Sequence, residues 1–134
     1  MKKDIDIPEV KGVYIAAIPE GKADNRSWYI HVINDLPEMI EAVMITSKGY
    51  TIEGNLQKTV SSTLRHRIGS IPYKSAVKVE MIDQQVFEIY NEYWVTFFLN
   101  GKLMEKKFTF GPHTIDAEFL EDIPVHASKG ILVK

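Results

Sequence analysis

The sequence predicts an all-β protein, and three patterns carry this prediction. Tyr93–Phe110 contains two apolar, β-rich arms joined by Asn100-Gly101, a dipeptide that favours the positive φ angles of a type I′ hairpin turn. Short apolar runs recur along the chain between Gly, Pro, Asn and Asp, and Ala76–Ile82 alternates strictly between apolar and polar residues. We therefore predict a mainly antiparallel, immunoglobulin-like β-sandwich of about seven or eight short strands with at most one short helix; a small β-barrel is the alternative.

The two-residue turn fixes the register of the hairpin. Leu99 should lie opposite Lys102, and the same count pairs Phe97 with Met104. This register gathers one set of side chains on a face that we expect to be buried: Tyr93, Val95, Phe97, Met104, Phe108 and Phe110. The opposite face, which we expect to be more exposed to solvent, carries Thr96, Glu105, Lys107 and Thr109.

Composition indicates one β domain over residues 1–134. The chain has 134 residues, of which 45% are hydrophobic, and its formal net charge is -2. It has no cysteine, which excludes disulfides and thiolate metal sites and fits a reducing compartment. Met1–Pro8 has basic residues but no apolar run after them, and no segment is long enough to span a membrane. We therefore expect a cytoplasmic protein without a membrane partner.

The first half of the chain predicts several strands and leaves one ambiguity. Gly12–Ile18 and Ser27–Ile33 have strand composition and should pair or neighbour each other. Leu36–Met44 is either a helix, because Asp35 and Glu38 form a capping box, or a strand that runs into the turn after Thr46; we prefer the strand. Thr51–Ser62 reads as an exposed loop or a short edge strand, and Thr63–Ile68 resumes pairing.

The second half predicts one half-buried strand before the hairpin and two elements after it. Alternation in Ala76–Ile82 places Val77, Val79 and Met81 on one face and Lys78 and Glu80 on the other. Thr114–Glu121 reads as one or two helical turns with three inward side chains, namely Ile115, Phe119 and Leu120. Lys129–Lys134 reads as a final short strand.

Arg65-His66-Arg67 is the densest cationic segment and the best candidate for an anion site or partner contact. The preceding Ser61, Ser62 and Thr63 add hydroxyls suited to a phosphate or carboxylate. In a strand, however, Arg65 and Arg67 project from one face and His66 from the other. We therefore prefer a charged edge strand, which discourages unwanted pairing between sheets.

The histidines predict neither a metal site nor a cofactor. No two of His31, His66, His113 and His126 have a zinc-like spacing, and His31 alternates with Tyr29 and Ile33 as a packing residue would. His113 stands near four acidic residues that suit a hard cation or an acid–base pair, although a solvated surface is the simpler interpretation: Asp116, Glu118, Glu121 and Asp122. Because phosphate loops and nucleophile elbows are also absent from the sequence, we assign no catalytic residue.

The two tryptophans predict different roles. Trp28 shares a face with Ile30 and Val32 and should lie in the core. Trp94 lies with Phe98 and Leu103 on the less apolar hairpin face, which is either a second buried layer or an exposed patch for a partner. We prefer burial or a subunit contact to sugar binding, and so name these three residues as a possible interface.

The chain resembles short bacterial proteins of unknown function. The resemblance rests on Ile7–Tyr14, on Thr46–Tyr50, on Asn91–Val95, and on Ile123-Pro124 with Lys129–Val133. Some of that group carry the label phenylalanyl-tRNA synthetase alpha subunit. A class II synthetase core is far longer, and its arginine-bearing motifs cannot be laid onto this chain. The resemblance therefore implies a compact, stand-alone β domain and brings no catalytic residue with it.

Three functional hypotheses follow. The leading one is a non-enzymatic cytoplasmic binding or assembly module with a protein partner, with a homodimer through the Trp94 face or a sheet edge as one form of it. The second is a small hydrolase or transferase that uses His66 or His113 with nearby carboxylates. The third is an accessory protein that contacts RNA through four cations: Arg65, Arg67, Lys74 and Lys78. We do not expect nucleic acid, because the tyrosines available for stacking are not interleaved with basic residues.

Overall fold

In the part of the chain that the structure describes, ten β-strands form two sheets that pack face to face. A computed structural model describes residues 10–134 of the chain. Its strands are β1 (Val13–Glu20), β2 (Ser27–Asn34), β3 (Ile40–Glu53), β4 (Leu56–Thr59), β5 (Leu64–Ile71), β6 (Ser75–Ile82), β7 (Tyr90–Leu99), β8 (Lys102–Phe110), β9 (Glu121–Asp122) and β10 (Lys129–Val133). Helical structure in this range consists of short 3-10 turns at Ala23–Asn25, Gln84–Val86 and Ala117–Phe119.

All the strand pairs are antiparallel. Sheet I has the order β6-β2-β1-β10-β9. In sheet II, β7 lies between β3 and β8, while β4 and β5 pair with successive parts of the long strand β3. The predicted sandwich is confirmed, because the sheets remain two separate layers and do not close into a barrel. Its immunoglobulin-like form stays a prediction.

The main core lies between the two sheets. Sheet I contributes inward side chains such as Ile15, Ile30 and Val32, and sheet II contributes Ile45 and Val95, all at most 1% exposed. Trp28 is 4% exposed and packs edge-on against Phe87, with ring centroids 6.0 Å apart, so its predicted core position is confirmed. The main core therefore covers the inner face of each sheet.

The central hairpin has the predicted register. Leu99 pairs with Lys102, Phe97 with Met104 and Tyr93 with Phe108. Asn100 and Gly101 have φ angles of 52° and 76°, as a type I′ turn requires. The six side chains predicted to be buried on this hairpin are all at most 9% exposed. Burial of one hairpin face thus fixes which side chains sheet II presents outward.

The ambiguous segment after Asp35 contains a strand, as we preferred. β3 begins at Ile40 and continues to Glu53, and no helix forms over residues 36–44. A bulge interrupts its pairing with β7 between Glu41 and Met44, where Ala42 takes a positive φ of 51°. The sequence Thr51–Ser62 completes β3 and adds the short, exposed strand β4.

The strict alternation predicted for β6 is wrong at its end. Pairing between β2 and β6 shifts between Ile30 and His31, so that His31 faces Lys78 while Ile30 faces Glu80. Val79 is therefore an extra residue, and the strand reverses its faces beyond it. Glu80 consequently points inward, and Met81, predicted to be buried beside Val77 and Val79, is 60% exposed.

The C-terminal segment returns along the outer face of sheet I. Ile123 packs there against a small second core formed by Ala16, Ile18 and Ile33. The helical turns predicted for Thr114–Glu121 reduce to one 3-10 turn; Ile115 is buried as predicted, but Phe119 is 54% exposed. Lys129–Val133 is a strand, as predicted. Residues 1–9 lie outside the described residues. They include the N-terminal segment that we predicted not to be a signal peptide, and the first residues of the segment Ile7–Tyr14 on which the resemblance rests.

Candidate functional site

Four large apolar side chains are exposed together on the outer face of sheet II. Trp94 and Phe98 of β7 are 41% and 40% exposed, Met44 of β3 is 43% exposed, and Leu103 of β8 is 57% exposed. Phe98 is directly opposite Leu103, and Met44 is opposite Thr96, so the four lie on neighbouring strands. We call Met44, Trp94, Phe98 and Leu103 the apolar patch. Of the two alternatives for the hairpin residues, the structure shows the exposed one.

Strand geometry explains why these side chains face solvent. Trp94 and Phe98 alternate with Tyr93, Val95 and Phe97, whose side chains fill the core. Since neighbours along a strand point to opposite faces, burying one set necessarily presents the other. The bulge at Ala42 shifts the pairing of β3 with β7, so that Met44 lies opposite Thr96. The Met44 side chain therefore belongs to the patch.

Charged side chains lie on two sides of the apolar patch, on β5 and on β8. Arg65 and Arg67 of β5 are opposite Thr46 and Met44, which places both guanidinium groups on this outer face. On β8, Lys107 is opposite Trp94 and Glu105 is opposite Thr96. Lys107 Nζ lies 5.7 Å from the centre of the Trp94 ring, a cation–π distance. The patch thus has the apolar centre and polar rim that are typical of protein interfaces.

Glu92 is the one strongly buried charge of this face among the described residues. Its side chain is 9% exposed and lies between Lys48 Nζ and Lys107 Nζ, each 3.9 Å from one of its carboxylate oxygens. Next to it Tyr50 stacks on Tyr90, with ring centroids 5.1 Å apart. Burial and the Glu92 carboxylate raise the pKa of Tyr50 above its ordinary value, so its hydroxyl stays neutral.

A second polar cluster lies between the sheets, and Glu80 is its centre. His66 Nε2 is 2.5 Å from Glu80 Oε1, and the same oxygen accepts a hydrogen bond from Ser47 Oγ at 3.2 Å. Tyr93 Oη donates to Glu80 Oε2 at 3.0 Å. The Glu80 cluster, which consists of Ser47, His66, Glu80 and Tyr93, therefore ties three strands of sheet II to β6 of sheet I.

The chemistry of the Glu80 cluster is that of a partly buried carboxylate whose hydrogen bonds are satisfied. Burial, followed by the negative charge of Glu80, raises the pKa of Tyr93 far above its ordinary value, so Tyr93 is a permanent donor. Among the described residues, no serine or threonine hydroxyl hydrogen-bonds to His66. A hydrolase that works through a serine or threonine nucleophile would need such a contact.

A shallow cleft opens beside the Glu80 cluster. Its volume is about 180 Å³, and Glu80, Tyr93, Ser61 and Asn91 contribute polar groups to its wall. These groups already have partners inside the protein. Ser61 Oγ accepts from the Gly49 amide at 2.5 Å and donates to the Ser62 carbonyl, while Asn91 Nδ2 donates to the Val86 carbonyl at 2.7 Å. One of the three hydroxyls proposed to join an anion site beside Arg65, that of Ser61, is therefore used to hold a loop.

The histidines do not converge. His66 joins Glu80, whereas His31 lies on the outer face of sheet I, with its ring centroid 5.0 Å from that of His126. Burial is the main cause that lowers the pKa of His31. His113 is exposed, as are all four acidic residues predicted near it. Within residues 10–134, no group of three or more histidine and acidic side chains is arranged to hold a metal ion.

The four cations of the RNA hypothesis lie on separate surfaces. Arg65 and Arg67 belong to the outer face of sheet II. Lys78 is on the outer face of sheet I, where it pairs with Glu20 at 2.6 Å. Lys74 pairs with Asp35 at 2.9 Å in the loop after β5. No single surface therefore presents all four of these cations to a nucleic acid.

Sequence reasoning missed Glu80 and Met44 as members of these sites. Both positions depend on bulges, at Val79 and Ala42, which reverse the direction of the following side chains. The one available signal was Glu80 itself, a charged residue in a strand that is otherwise half apolar. Alternation alone would place it in solvent.

In the part of the chain that the structure describes, no helix combines the length and apolar character needed to cross a membrane. Comparisons with protein-family models, curated proteins and solved structures found no match to this chain, so its resemblance to short bacterial β proteins stays a prediction.

Proposed function

We propose that the protein is a non-enzymatic binding module and that the outer face of sheet II is its protein-binding surface. The observation that carries the proposal is the apolar patch, in which four large side chains on three adjacent strands are each at least 40% exposed. Single exposed apolar side chains are common on protein surfaces, but a contiguous group with a charged rim is characteristic of an interface. A cytoplasmic location remains part of the proposal, which the lack of cysteine favours.

The composition of the patch favours a protein over other partners. Trp, Phe, Met and Arg are enriched at the centres of protein interfaces, and Trp and Arg are frequent energetic hot spots. Cations and carboxylates are nearly balanced around the patch, with Arg65, Arg67, Lys48 and Lys107 against Glu41, Glu92 and Glu105. A surface for a nucleic-acid backbone would instead carry a clear excess of positive charge.

The Glu80 cluster favours a second candidate, a small hydrolase or transferase that uses His66. The supporting observation is the short contact between His66 and Glu80 beside a cleft. This function requires the His66→Gln variant to lose turnover of simple esters while it keeps its fold. The binding-module proposal expects no turnover by either protein.

Affinity capture from an extract of the source organism tests the main proposal. The bait is the tagged protein, compared with a Trp94→Ser/Phe98→Ser variant and with Tyr73→Ser, which removes an aromatic side chain that is 64% exposed in the loop between β5 and β6. We expect a polypeptide, either another protein or untagged copies of this chain, that the wild type and Tyr73→Ser retain and the double variant loses. Equal retention by all three baits would contradict the proposal.

A further inference from the structure

Residues that lie opposite one another on neighbouring strands form rows across sheet II. One of these rows has charges of opposite sign at its two ends. From β5 to β8, this row reads Arg67, Met44, Thr96 and Glu105. The next row reads Arg65, Thr46, Trp94 and Lys107, and the one after it contains Lys48 and Glu92. Among the described residues, neither Arg65 nor Arg67 has a carboxylate partner. These guanidinium groups are available to a partner.

We propose that the partner of this face is a second copy of the chain, packed face to face about a two-fold axis that runs parallel to the strands between β3 and β7. The inference rests on the proposed function, because it names a partner for the same surface. Such an axis places β5 of one copy over β8 of the other and β3 over β7, while each row stays opposite itself. Aligned packing of this kind is common between twisted β-sheets.

The axis brings complementary groups together at the rim of the interface. Arg67 of each copy faces Glu105 of the other, and the symmetry forms this contact twice. Lys48 likewise lies over Glu92 of the second copy, although Glu92 is already paired with Lys48 and Lys107 of its own chain. Rim charges paired in this way fix the register of an interface more than they add to its affinity.

Side-chain sizes near the axis are complementary as well. Trp94 of one copy lies over Thr46 of the other, and Met44 lies over Thr96. These two large side chains therefore each meet a small one, as interdigitating sheet faces require. One like-charged pair remains, Arg65 with Lys107, and Glu92, 3.9 Å from Lys107 Nζ, offsets part of it.

The other two-fold axis in the plane of the face, perpendicular to the strands, fits worse. It would place every strand over its own copy. When it passes through the Met44 row, Arg67 meets Arg67 and Glu105 meets Glu105. Like charges placed opposite each other disfavour an interface, so the charge pattern favours the axis parallel to the strands over this one.

The size of the face predicts a modest affinity. Four strands about 4.8 Å apart and about eight residues long cover roughly 500 Å² per copy, or about 1,000 Å² in total. This is near the lower limit for a specific interface. We therefore expect a dimer that dissociates in the micromolar range.

Charge reversal with rescue in trans tests the proposed axis. In Arg67→Glu and in Glu105→Arg, both symmetric contacts become repulsive, so each variant alone should dimerise at least about tenfold more weakly than the wild type. In an equimolar mixture of the two variants, one contact is reversed in sign and the other is native, so a heterodimer should form with near wild-type affinity. Sedimentation equilibrium of the separate and mixed proteins measures this.

Rescue cannot arise within one chain. Arg67 and Glu105 lie on the same face but three strand spacings apart, roughly 14 Å, towards opposite edges of the sheet. Lys22→Glu, a charge reversal at an exposed residue before β2, is the matched control and should leave dimerisation unchanged.

Either of two results would overturn the inference. A wild type that stays monomeric at high micromolar concentration excludes the second copy as partner. A dimer that neither variant weakens, or that the mixture does not restore, excludes this axis. Both results leave the capture experiment free to show another protein on the same face, so failure of the inference is distinguishable from failure of the proposed function.

Discussion

Glu80 shows how one partly buried carboxylate organises its surroundings. It accepts hydrogen bonds from Ser47, His66 and Tyr93 and thereby joins β3, β5 and β7 to β6. The described residues contain no buried side-chain nitrogen or oxygen that lacks a partner. Since an unpaired buried polar group costs about 1–3 kcal/mol, we interpret the Glu80 cluster as a structural tie between the two sheets.

Removing the Tyr93 hydroxyl should weaken this tie. Tyr93→Phe deletes one donor to Glu80 without changing the ring, and we expect the free energy of unfolding to fall by about 1–2 kcal/mol. Tyr73→Phe removes the same group from an exposed ring and should change stability by less than about 0.5 kcal/mol. Urea denaturation at one protein concentration compares them. Equal stability of Tyr93→Phe and the wild type would show that the hydrogen bond contributes nothing.

His31 should make stability depend on pH. Burial, with smaller contributions from His126 and Lys78, lowers its pKa below 6.5, while a hydrogen bond to the Tyr29 carbonyl and the Glu20 charge act in the opposite direction. Above the unfolded-state value, His31 is neutral in both states. As the pH falls through that value, the unfolded chain takes up a proton that the folded chain resists, so stability is lost.

We therefore expect the free energy of unfolding to fall between about pH 7 and 5.5, and to fall less steeply in His31→Gln. His113→Gln, which alters an exposed histidine, should keep the wild-type slope. Urea midpoints measured at several pH values decide this. If the free energy of unfolding fell equally with pH in all three proteins, His31 would not be the cause of the pH dependence.

At the scale of single elements, local sequence determined the hairpin. Asn100-Gly101 specifies a two-residue turn, and the apolar residues that follow from its register are those found in the core. The ends of β6 and the start of β3 were not predictable in the same way. A bulge depends on pairing with a strand that is distant in the sequence. Val79, for example, is an extra residue only because Ile30 and His31 of β2 pair with its two neighbours, Glu80 and Lys78.

The same limit explains the candidate sites. Trp94, Phe98 and Leu103 could be assigned to one face because a single hairpin carries them. Their neighbours Met44, Arg65 and Arg67 come from strands far away in the sequence, and only the sheet order brings them together. Phe119 was misplaced because the predicted helical turns are a single 3-10 turn, which has no continuous inward face.

The hairpin turn should be sensitive to the backbone at Gly101. Gly101→Ala places a Cβ in open space, so its cost comes from the positive φ of 76°, and we expect a loss of about 1 kcal/mol in unfolding free energy. Gly111→Ala, where φ is not positive and the new Cβ would meet only ordinary contacts, should cost less than about 0.5 kcal/mol. Thermal denaturation compares the two. A similar loss in both variants would argue against the left-handed turn.

For the whole molecule, the outer faces of the two sheets differ in how they are covered. On sheet I, the returning C-terminal segment buries Ile123 against Ala16, Ile18 and Ile33. On sheet II, no described segment covers the apolar patch, and its four side chains remain exposed. An aromatic surface of this kind favours association, because its burial removes apolar area from water. The fold thus accounts for why one face, and not the other, is the proposed interface.

Sedimentation equilibrium of the wild type, Trp94→Ser/Phe98→Ser and Tyr73→Ser over a range of concentrations tests the central claim most directly. We predict that the wild type and Tyr73→Ser rise from the monomer mass of 15.3 kDa towards twice that value, and that the double variant stays at 15.3 kDa with an unchanged circular dichroism spectrum. Association of the double variant with the same concentration dependence as the wild type would contradict the assignment of this face. A wild type that remains at 15.3 kDa throughout would contradict self-association through it.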